Sequence, residues 1–438
     1  MPGTIEPNSW LLLRLPSENN RVLKLVPGTS VGLGKFGSFR ADNLIGQKFG
    51  YTYEITGDKS VQQVEPPSFD AEDNEEDVTS QTMTGDQIDY LGTNTLSMEE
   101  IEQLKREGKK GEDIIEKIIN SHQDFDKKTE FAKAKYLKRK KMKYLQHFTP
   151  EPITSQQLLE IYTEKDRSRV MNMGMESLAM LLSLANVRPG GHYLVVDETP
   201  SLIVVAILEK LNGQGSVTIV HENEHTNLDA LKYFEQWYPE ENPKIEHPLV
   251  RTVNMLELFA PQDAFTEGDS EPKPENFGNA DPKELKTHQR GQYNRHLYRY
   301  RQREFVRSKC AEGYDGLIVA STLELTDLVP RLIPFVSGSA PIVVYSEFKE
   351  RLVDLTLAAK HDLRMLAPTI WETRVRRYQT LPGRIHPKMT SLAVGGYLLH
   401  ALRVYPSESV HALGVGAQRK KRRRNDEDRR EASMEVEN

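Results

Sequence analysis

The chain has 438 residues, of which 37% are hydrophobic and 28% charged, and its mean hydropathy is −0.59. Domains usually contain about 100 to 150 residues, so this length predicts two or three folded units joined by polar segments. The 58 Lys and Arg residues against 64 Asp and Glu residues give a net charge of −6. This overall balance indicates no class of partner, so the distribution of charge along the chain has to be read instead.

Two further counts exclude classes of protein. A single cysteine, Cys310, excludes an intramolecular disulfide, a zinc ribbon and a paired-cysteine redox site, and it fits a reducing compartment. The longest wholly apolar run, Leu202–Leu208, has seven residues, whereas a bilayer-spanning helix needs about 20. We therefore predict no membrane contact, and residues 1–9 carry no basic segment that would indicate secretion.

Residues 1–57 are predicted to form a β-rich N-terminal domain. Short apolar runs between residues 10 and 56 alternate with turn-forming Pro, Gly, Asn and Asp, as in a small antiparallel barrel or sandwich. The motif Gly32–Gly37 matches G-x-G-x-x-G, but strand and turn residues follow it where a dinucleotide or phosphate loop would begin a helix. Tight turns in a barrel are the better interpretation.

Residues 58–96 are predicted to be an acidic disordered linker, and residues 97–149 a helical basic segment. Eight acidic residues face one lysine between Asp58 and Asp77, with almost no aliphatic residue to bury. A capping box at Ser97 begins the first helix, and a second helix is predicted from about Glu112. Residues 127–143 carry nine Lys or Arg and one Glu, which predicts a basic helix.

Residues 150–416 are predicted to form a Rossmann-like, methyltransferase-type α/β domain. Helices predicted at 170–187, 201–212, 226–237, 323–335 and 348–364 alternate with strands at 192–197, 216–221, 314–320 and 341–345. Two later apolar stretches, 368–381 and 389–405, predict a closing antiparallel pair. A disordered insertion is predicted at about 261–287 and a disordered basic and acidic tail at 417–438.

The loop after the first strand of this domain is the predicted remnant of a cofactor site. In a methyltransferase of this fold, S-adenosylmethionine lies over that strand end, where a G-x-G lets the backbone approach the cofactor. Here the loop reads Asp197-Glu198-Thr199-Pro200, with no glycine and with a proline that lacks an N–H. The fourth strand ends in Ala-Ser-Thr without a general base. We therefore predict a degenerate site, no catalytic residue, no metal and no cofactor bound by this chain.

Basic clusters give the positive evidence for a partner. A polyanion is favoured over a merely solvated face, because the predicted basic helix has almost no counter-charge and has Tyr136 and Tyr144 available for stacking. Its basic residues are Lys133, Lys135, Lys138, Arg139, Lys140, Lys141 and Lys143. A second cluster surrounds a Pro-Gly turn and comprises Arg374, Arg376, Arg377, Arg384, His386 and Lys388.

Two further basic groups have open interpretations. The group from Arg290 to Lys309, with three tyrosines, could bind a polyanion or form an amphipathic packing helix. The run in the C-terminal tail is typical of a nuclear-import signal, with a nonspecific RNA-binding tail as the alternative. This run consists of Arg419, Lys420, Lys421, Arg422, Arg423 and Arg424.

Several long segments resemble one known family, the non-catalytic subunit of the eukaryotic tRNA adenosine-58 N1-methyltransferase. They are GTSVGLGKFGSFRADNLIGQKFGYTYEI, LSMEEIEQLKREGKKGEDIIEKIINSHQDFDKKTEFAKAKYLKRKKMKY, LANVRPGGHYLVVDE, YDGLIVAS, and YQTLPGRIHPKM followed by GGYLL. Together they span most of the chain in order. The chain departs from the family pattern at residues 173–178, where an R-x-D-T-L element is often kept, and in its first-strand loop.

The resemblance implies a nuclear heterotetramer of two catalytic and two non-catalytic subunits that binds tRNA, with S-adenosylmethionine held by the catalytic subunit. It also implies which residues contact tRNA, in addition to the basic helix. These residues are Thr95 in the segment Leu91–Leu96, Lys165, Arg167, Arg169, Arg377 and Arg384. From the second basic cluster we add Arg374 and His386 as predicted tRNA contacts. Two alternatives stay open: an S-adenosylmethionine-dependent RNA methyltransferase active by itself, and a nuclear RNA-binding scaffold linked to translation initiation.

Overall fold

The structure is a computed structural model. It describes residues 3–16, 20–56, 59–66, 100, 103–104, 111–122, 125, 129–237, 249–270, 286–381, 384–389 and 395–406.

An antiparallel sheet forms the N-terminal domain, as the alternation of apolar runs and turn formers predicts. The strands are β1 (Trp10–Arg14), β2 (Asn20–Lys24), β3 (Ser30–Gly32), β4 (Ser38–Arg40), β5 (Thr52–Ile55), β6 (Val61–Val64) and β7 (His147–Pro152). Five of them pair in the order β2-β1-β7-β5-β6, while β3 and β4 form a separate hairpin. Alternate side chains point into one apolar core, where the rings of Phe39 and Phe148 stack with centroids 4.8 Å apart.

Two predicted boundaries differ from the structure. Strand β6 lies inside the predicted linker 58–96: it pairs with β5, and Val61 packs on the N-terminal core. Acidic residues become dense only after Glu65, so the segment before it can still contribute backbone pairing and apolar burial. Strand β7 runs across the predicted boundary between residues 149 and 150 and pairs with β1 and β5. Residues 67–99 lie outside the described residues.

Two helices, α1 (Gly111–Asn120) and α2 (Glu130–Tyr144), pack together ahead of β7. Thr129 caps α2 by accepting a hydrogen bond from the Ala132 amide at 3.3 Å. Isoleucines of α1, among them Ile114 and Ile118, are buried against Tyr144 and Leu145 at the end of α2. The apolar face of α1 therefore packs against the basic helix α2, and the two helices share a small hydrophobic core.

The C-terminal domain is a doubly wound α/β sheet, which confirms the predicted fold class. Its helices are α3 (Ser155–Lys165), α4 (Met175–Leu184), α5 (Leu202–Leu211), α6 (Met255–Phe259), α7 (Pro261–Ala264), α8 (Thr287–Glu312), α9 (Leu325–Leu332) and α10 (Lys349–Ala359). Its strands are β8 (His192–Asp197), β9 (Ser216–His221), β10 (Val250–Asn254), β11 (Gly316–Ala320), β12 (Pro341–Ser346), β13 (Met365–Glu372), β14 (Tyr378–Leu381), β15 (Arg384–Pro387) and β16 (Tyr397–Arg403).

Strand order decides where a ligand site belongs in such a sheet. Within the described residues the order is β10-β9-β8-β11-β12-β16-β13. The strands from β10 to β12 are parallel, and β16 is antiparallel to both of its neighbours, β12 and β13. The order reverses between β8 and β11, so the crevice at their carboxyl ends is the topological switch point. One apolar core lies on each face of the sheet, and β14 and β15 form a separate hairpin.

Three segments of this domain differ from the sequence prediction. The predicted helix 226–237 is 3₁₀ helix from Asp229 to Trp237, and β10 was not predicted. The predicted disordered insertion 261–287 begins with α7 and a 3₁₀ turn, Glu267–Ser270. This part is ordered because Asp269 is buried against Arg299 of α8. Residues 271–285 lie outside the described residues. In the described part of the chain, no helix is long and apolar enough to cross a membrane.

Candidate functional site

Asp197, the last residue of β8, folds its carboxylate back onto the start of α5. It accepts hydrogen bonds from the Thr199 amide at 2.7 Å, the Thr199 hydroxyl at 2.5 Å and the Val204 amide at 3.2 Å. Burial raises the pKa of this carboxyl above its ordinary value, and these hydrogen bonds oppose the rise. Asp197 therefore satisfies the amides that a helix N-terminus would otherwise present to a ligand.

Glu198 bridges the switch point from β8 to the end of β11. Its backbone amide donates to the Ala320 carbonyl at 3.0 Å. Its carboxylate accepts hydrogen bonds from the Ser321 hydroxyl and from the amide and hydroxyl of Thr322, the last two at 2.8 and 2.7 Å. The side chain thus lies across the crevice in which this fold holds ligands.

The remaining loop residues fill the space beside this bridge. Thr199 and Ser201 are buried, with 0% and 2% of their surface exposed. Ser201 has a φ of +64°, and its hydroxyl donates to the Asn227 carbonyl. All four predicted loop residues, Asp197 to Pro200, thus lie at the switch point, where the sequence placed them.

Arg351, near the start of α10, is a residue of this site that the sequence did not reveal. Its guanidinium donates to the Ser321 carbonyl at 2.9 Å and to the Leu323 carbonyl. The loop after β11 is therefore held from one side by the Glu198 carboxylate and from the other by the Arg351 guanidinium. Arg351 is remote from both strands in the sequence, so no local spacing could have placed it there. We call Glu198, Ser321, Thr322 and Arg351 the strand-end bridge.

The basic helix α2 is present, but its tyrosines are used inside the protein. Tyr144 is only 4% exposed, and the Tyr136 ring lies 5.3 Å from the His122 ring, edge to face. The prediction of a tyrosine available for stacking is wrong for Tyr144, which is buried against the apolar face of α1, whereas Tyr136 is half-buried beside the same cluster. Lysines lie over the same rings, with Lys140 Nζ 4.9 Å from the Tyr136 centroid.

The predicted cations of α2 differ in exposure. Lys135, Arg139 and Lys143 are exposed and follow one another at helical spacing of four. The other four are half-buried, as is usual for lysines whose apolar methylene chains pack on the protein surface. They are Lys133, Lys138, Lys140 and Lys141. The structure therefore gives α2 one outward basic stripe.

The cations predicted after Tyr162 lie at the end of α3. Lys165 is exposed, and Arg167 and Arg169 lie in a 3₁₀ turn, where Arg167 is half-buried. The Arg169 guanidinium lies 5.2 Å from the Tyr162 ring centroid and 3.5 Å from an Asp229 carboxylate oxygen. Burial raises the pKa of Tyr162 to about 12, so this ring stays neutral beneath the arginine.

The β14–β15 hairpin carries the third predicted cluster. Arg374 and Arg377 are exposed ahead of β14, His386 is exposed on β15, and Arg384 pairs in register with Leu381. Several large apolar side chains around the hairpin are also exposed, from 44% to 77% of their surface. They are Trp371, Val375, Tyr378, Ile385 and Met389.

Other predicted site residues lie outside the described residues: Thr95 and the run Arg419 to Arg424. In the described part of the chain, no group of three or more His, Cys, Asp or Glu side chains could hold a metal ion.

Comparisons with known proteins agree over nearly the whole chain. The profile of the Gcd10p family matches residues 4–288. The tRNA (adenine(58)-N(1))-methyltransferase non-catalytic subunit TRM6 of Debaryomyces hansenii is 39% identical, covering 95% of this chain and 90% of that protein. The subunits of the same name from Eremothecium gossypii and Schizosaccharomyces pombe are 40% and 30% identical, covering 92% and 95% of this chain and 93% and 96% of those proteins.

Solved methyltransferase structures are more distant. The tRNA (m1A58) methyltransferase TrmI from Aquifex aeolicus is 13% identical with a TM-score of 0.41, covering 92% of this chain and all of that chain (100%). A SAM-dependent O-methyltransferase from Thermotoga maritima is 11% identical with a TM-score of 0.46, covering 92% and 96% of the two chains. The profile match and the identities with the three curated subunits establish that this chain belongs to the Gcd10p family.

Proposed function

We propose that this chain is the non-catalytic, tRNA-binding subunit of a tRNA adenosine-58 N1-methyltransferase and acts only with a catalytic partner. Family membership supports this, because the curated relatives are named as non-catalytic subunits of that enzyme. One structural observation carries the non-catalytic part: the strand-end bridge, in which Glu198 spans the crevice between β8 and β11 while Arg351 holds the loop after β11 from its other side.

The residues at this crevice do not fit S-adenosylmethionine. A cofactor at the switch point needs a backbone it can approach closely and polar donors that are not already used. Here Asp197 takes the Thr199 and Val204 amides, Glu198 takes the Thr322 amide, and Pro200 has no N–H to give. The catalytic partner would therefore bind the cofactor and carry out the methyl transfer, and this chain would take no part in the chemistry.

The contribution of this chain to tRNA binding would be electrostatic. Exposed cations on α2, at the end of α3 and beside the β14–β15 hairpin can neutralise phosphates and so fix the position of the RNA. Exposed members of these groups carry this role in our assignment: Lys135, Arg139, Lys143, Lys165, Arg169 and Arg377. The binding constant K falls as salt rises, so the slope of log K against log salt is negative. Removing one cation that neutralises a phosphate should reduce the magnitude of this slope by about 0.9 on duplex RNA, if the value for duplex DNA applies.

The catalytic partner would dock on the exposed apolar surface around the hairpin. Val375, Tyr378, Ile385 and Met389 are each more than half exposed, which is unusual for large apolar side chains clustered in one place. Such a surface is typical of a protein interface. We propose a heterotetramer with two copies of each subunit.

Methyl transfer from labelled S-adenosylmethionine to unmodified tRNA tests this function. Three reactions are compared: this chain alone, the catalytic partner alone, and the two mixed. We expect product only in the mixture. Product from this chain alone would overturn the non-catalytic assignment, and full activity of the partner alone would overturn the requirement for this chain.

We also propose that the protein acts in the nucleus, with Arg419–Arg424 as its import signal. Six consecutive basic residues support this role, since import receptors bind such runs. A fluorescent fusion of the full chain should accumulate in the nucleus, and replacing the six residues by Gln should leave it in the cytoplasm. Nuclear accumulation of the Gln variant would contradict the assignment.

A further inference from the structure

Helix α8 has two halves with different surroundings. Its C-terminal half is anchored: Gln302, Val306 and Cys310 are buried, and Gln302 donates to the Thr252 carbonyl and to Glu257. In its N-terminal half, no residue from 287 to 301 is buried. We call Thr287–Arg301 the α8 arm.

The α8 arm has a fixed base. Arg299 donates to both carboxylate oxygens of Asp269 at 3.0 and 2.8 Å and to the Ala264 carbonyl at 2.9 Å. Asp269 also accepts from the amide and hydroxyl of Thr266, both at 2.8 Å. The helix rises about 1.5 Å per residue, so the residues before Arg299 extend about 18 Å beyond this anchor.

Charge along the α8 arm is of one sign. Between Thr287 and Arg303 the sequence contains five arginines and no Asp or Glu. Arg290, Asn294, Tyr298 and Arg301 follow the spacing that puts residues on one face of a helix, and all four are exposed. Tyr298 has 47% of its surface exposed. A cationic stripe with a tyrosine and an amide is the composition that contacts a nucleic-acid backbone.

We propose that the α8 arm is a further RNA-contact surface that binds the sugar-phosphate backbone of the tRNA through Arg290 and Arg301. This inference rests on the proposed function and adds to it an element that the basic helix, the end of α3 and the hairpin do not include. Charge complementarity favours RNA over a protein surface, since a protein interface would be expected to bury more apolar area than one exposed tyrosine provides.

The group Arg290–Lys309, whose interpretation the sequence leaves open, has a packing half and a half to which we assign RNA contact. The packing residues occupy the last three turns, where the side chains at 302, 306 and 310 repeat every four residues and face the sheet. The first half contributes no buried residue, and the Asp269–Arg299 ion pair lies at its C-terminal end, next to the packed half.

The test measures tRNA binding by the complex of this full chain with its catalytic partner, over a range of salt concentrations. We compare R290Q/R301Q with a matched double variant, R188Q/R331Q, which removes the same charge elsewhere in the domain. The control arginines lie outside the α8 arm, and each has a nearby acid: Arg188 is 3.8 Å from Asp315 and Arg331 is 3.2 Å from Asp327. All four side chains are exposed, so both variants should fold.

We expect R290Q/R301Q to weaken tRNA binding by at least about threefold and to lower the salt slope by about 1.4 to 1.8, the value for two phosphate contacts. The control should change neither quantity, and kcat at saturating tRNA should stay constant while KM rises. Unchanged affinity and slope in R290Q/R301Q would overturn the proposal. So would loss of co-purification with the catalytic partner, because the α8 arm would then bind protein. Failure of the unmutated complex to bind or methylate tRNA would instead contradict the proposed function.

Discussion

Replacing Glu198 by alanine removes one side of the strand-end bridge. The substitution leaves three donors without their acceptor: the Ser321 hydroxyl and the amide and hydroxyl of Thr322. A hydrogen bond to a charged acceptor contributes about 1.5 to 3 kcal/mol when it is buried. Glu198 and Thr322 are exposed, so water replaces most of these hydrogen bonds. We expect the free energy of unfolding to fall by about 1 to 2 kcal/mol.

Urea denaturation of the isolated chain measures this decrease. The matched control is Glu224→Ala, which removes an exposed glutamate from the loop after β9 and should change the unfolding free energy by less than about 0.5 kcal/mol. A double-mutant cycle with Thr322→Val should give a coupling energy of about 0.5 to 1.5 kcal/mol, because the two side chains share a hydrogen bond. Equal decreases for E198A and E224A, or zero coupling, would refute the bridge.

Three further predictions concern other contacts. The variant K135Q/K143Q on α2 should lower the salt slope of tRNA binding by about 1.4 to 1.8 in filter-binding titrations, and an unchanged slope would exclude these two cations. Arg299 holds the pKa of Asp269 well below its ordinary 3.8, so this pair stabilises the fold above that pH and loses its contribution as the pH falls. The stability difference between wild type and D269N should therefore be about 1 to 3 kcal/mol near neutral pH and shrink below about pH 4; a constant difference would contradict the assignment. Tyr144→Ala should destabilise the α1–α2 pair by about 3 kcal/mol, seen as faster amide exchange in α1 alone, and unchanged exchange would contradict its packing role.

The parallel part of the sheet was predictable because each strand is a short buried run between turn formers. Strands β8, β9 and β12 lie within one residue of their predicted bounds. The loop Asp197–Pro200 was placed correctly for the same reason, since it follows the first such run directly. Strand β10 was missed because its sequence, VRTVN, mixes polar and apolar residues and follows the polar, proline-containing stretch 238–248.

Contacts between distant segments could not be predicted. The sequence predicted that Tyr136 and Tyr144 are available for stacking, but both pack beside the apolar face of α1, and Tyr144 is buried there. Arg351 reaches the strand-end bridge through the packing of α10. Asp269 anchors residues 261–270, the described first part of the predicted insertion, through an arginine thirty residues later. In each case the determining interaction is a tertiary contact between residues far apart in the sequence. Neither hydrophobic periodicity nor the spacing of local motifs predicts such a contact.

Cofactor binding by the isolated chain tests the central claim most directly. Equilibrium dialysis against labelled S-adenosylmethionine should give no saturable binding, because Asp197, Glu198 and Arg351 already hold the groups at the switch point. The complex with the catalytic partner should bind one cofactor molecule for each catalytic subunit. Saturable binding of one cofactor per chain by this protein alone would contradict the account.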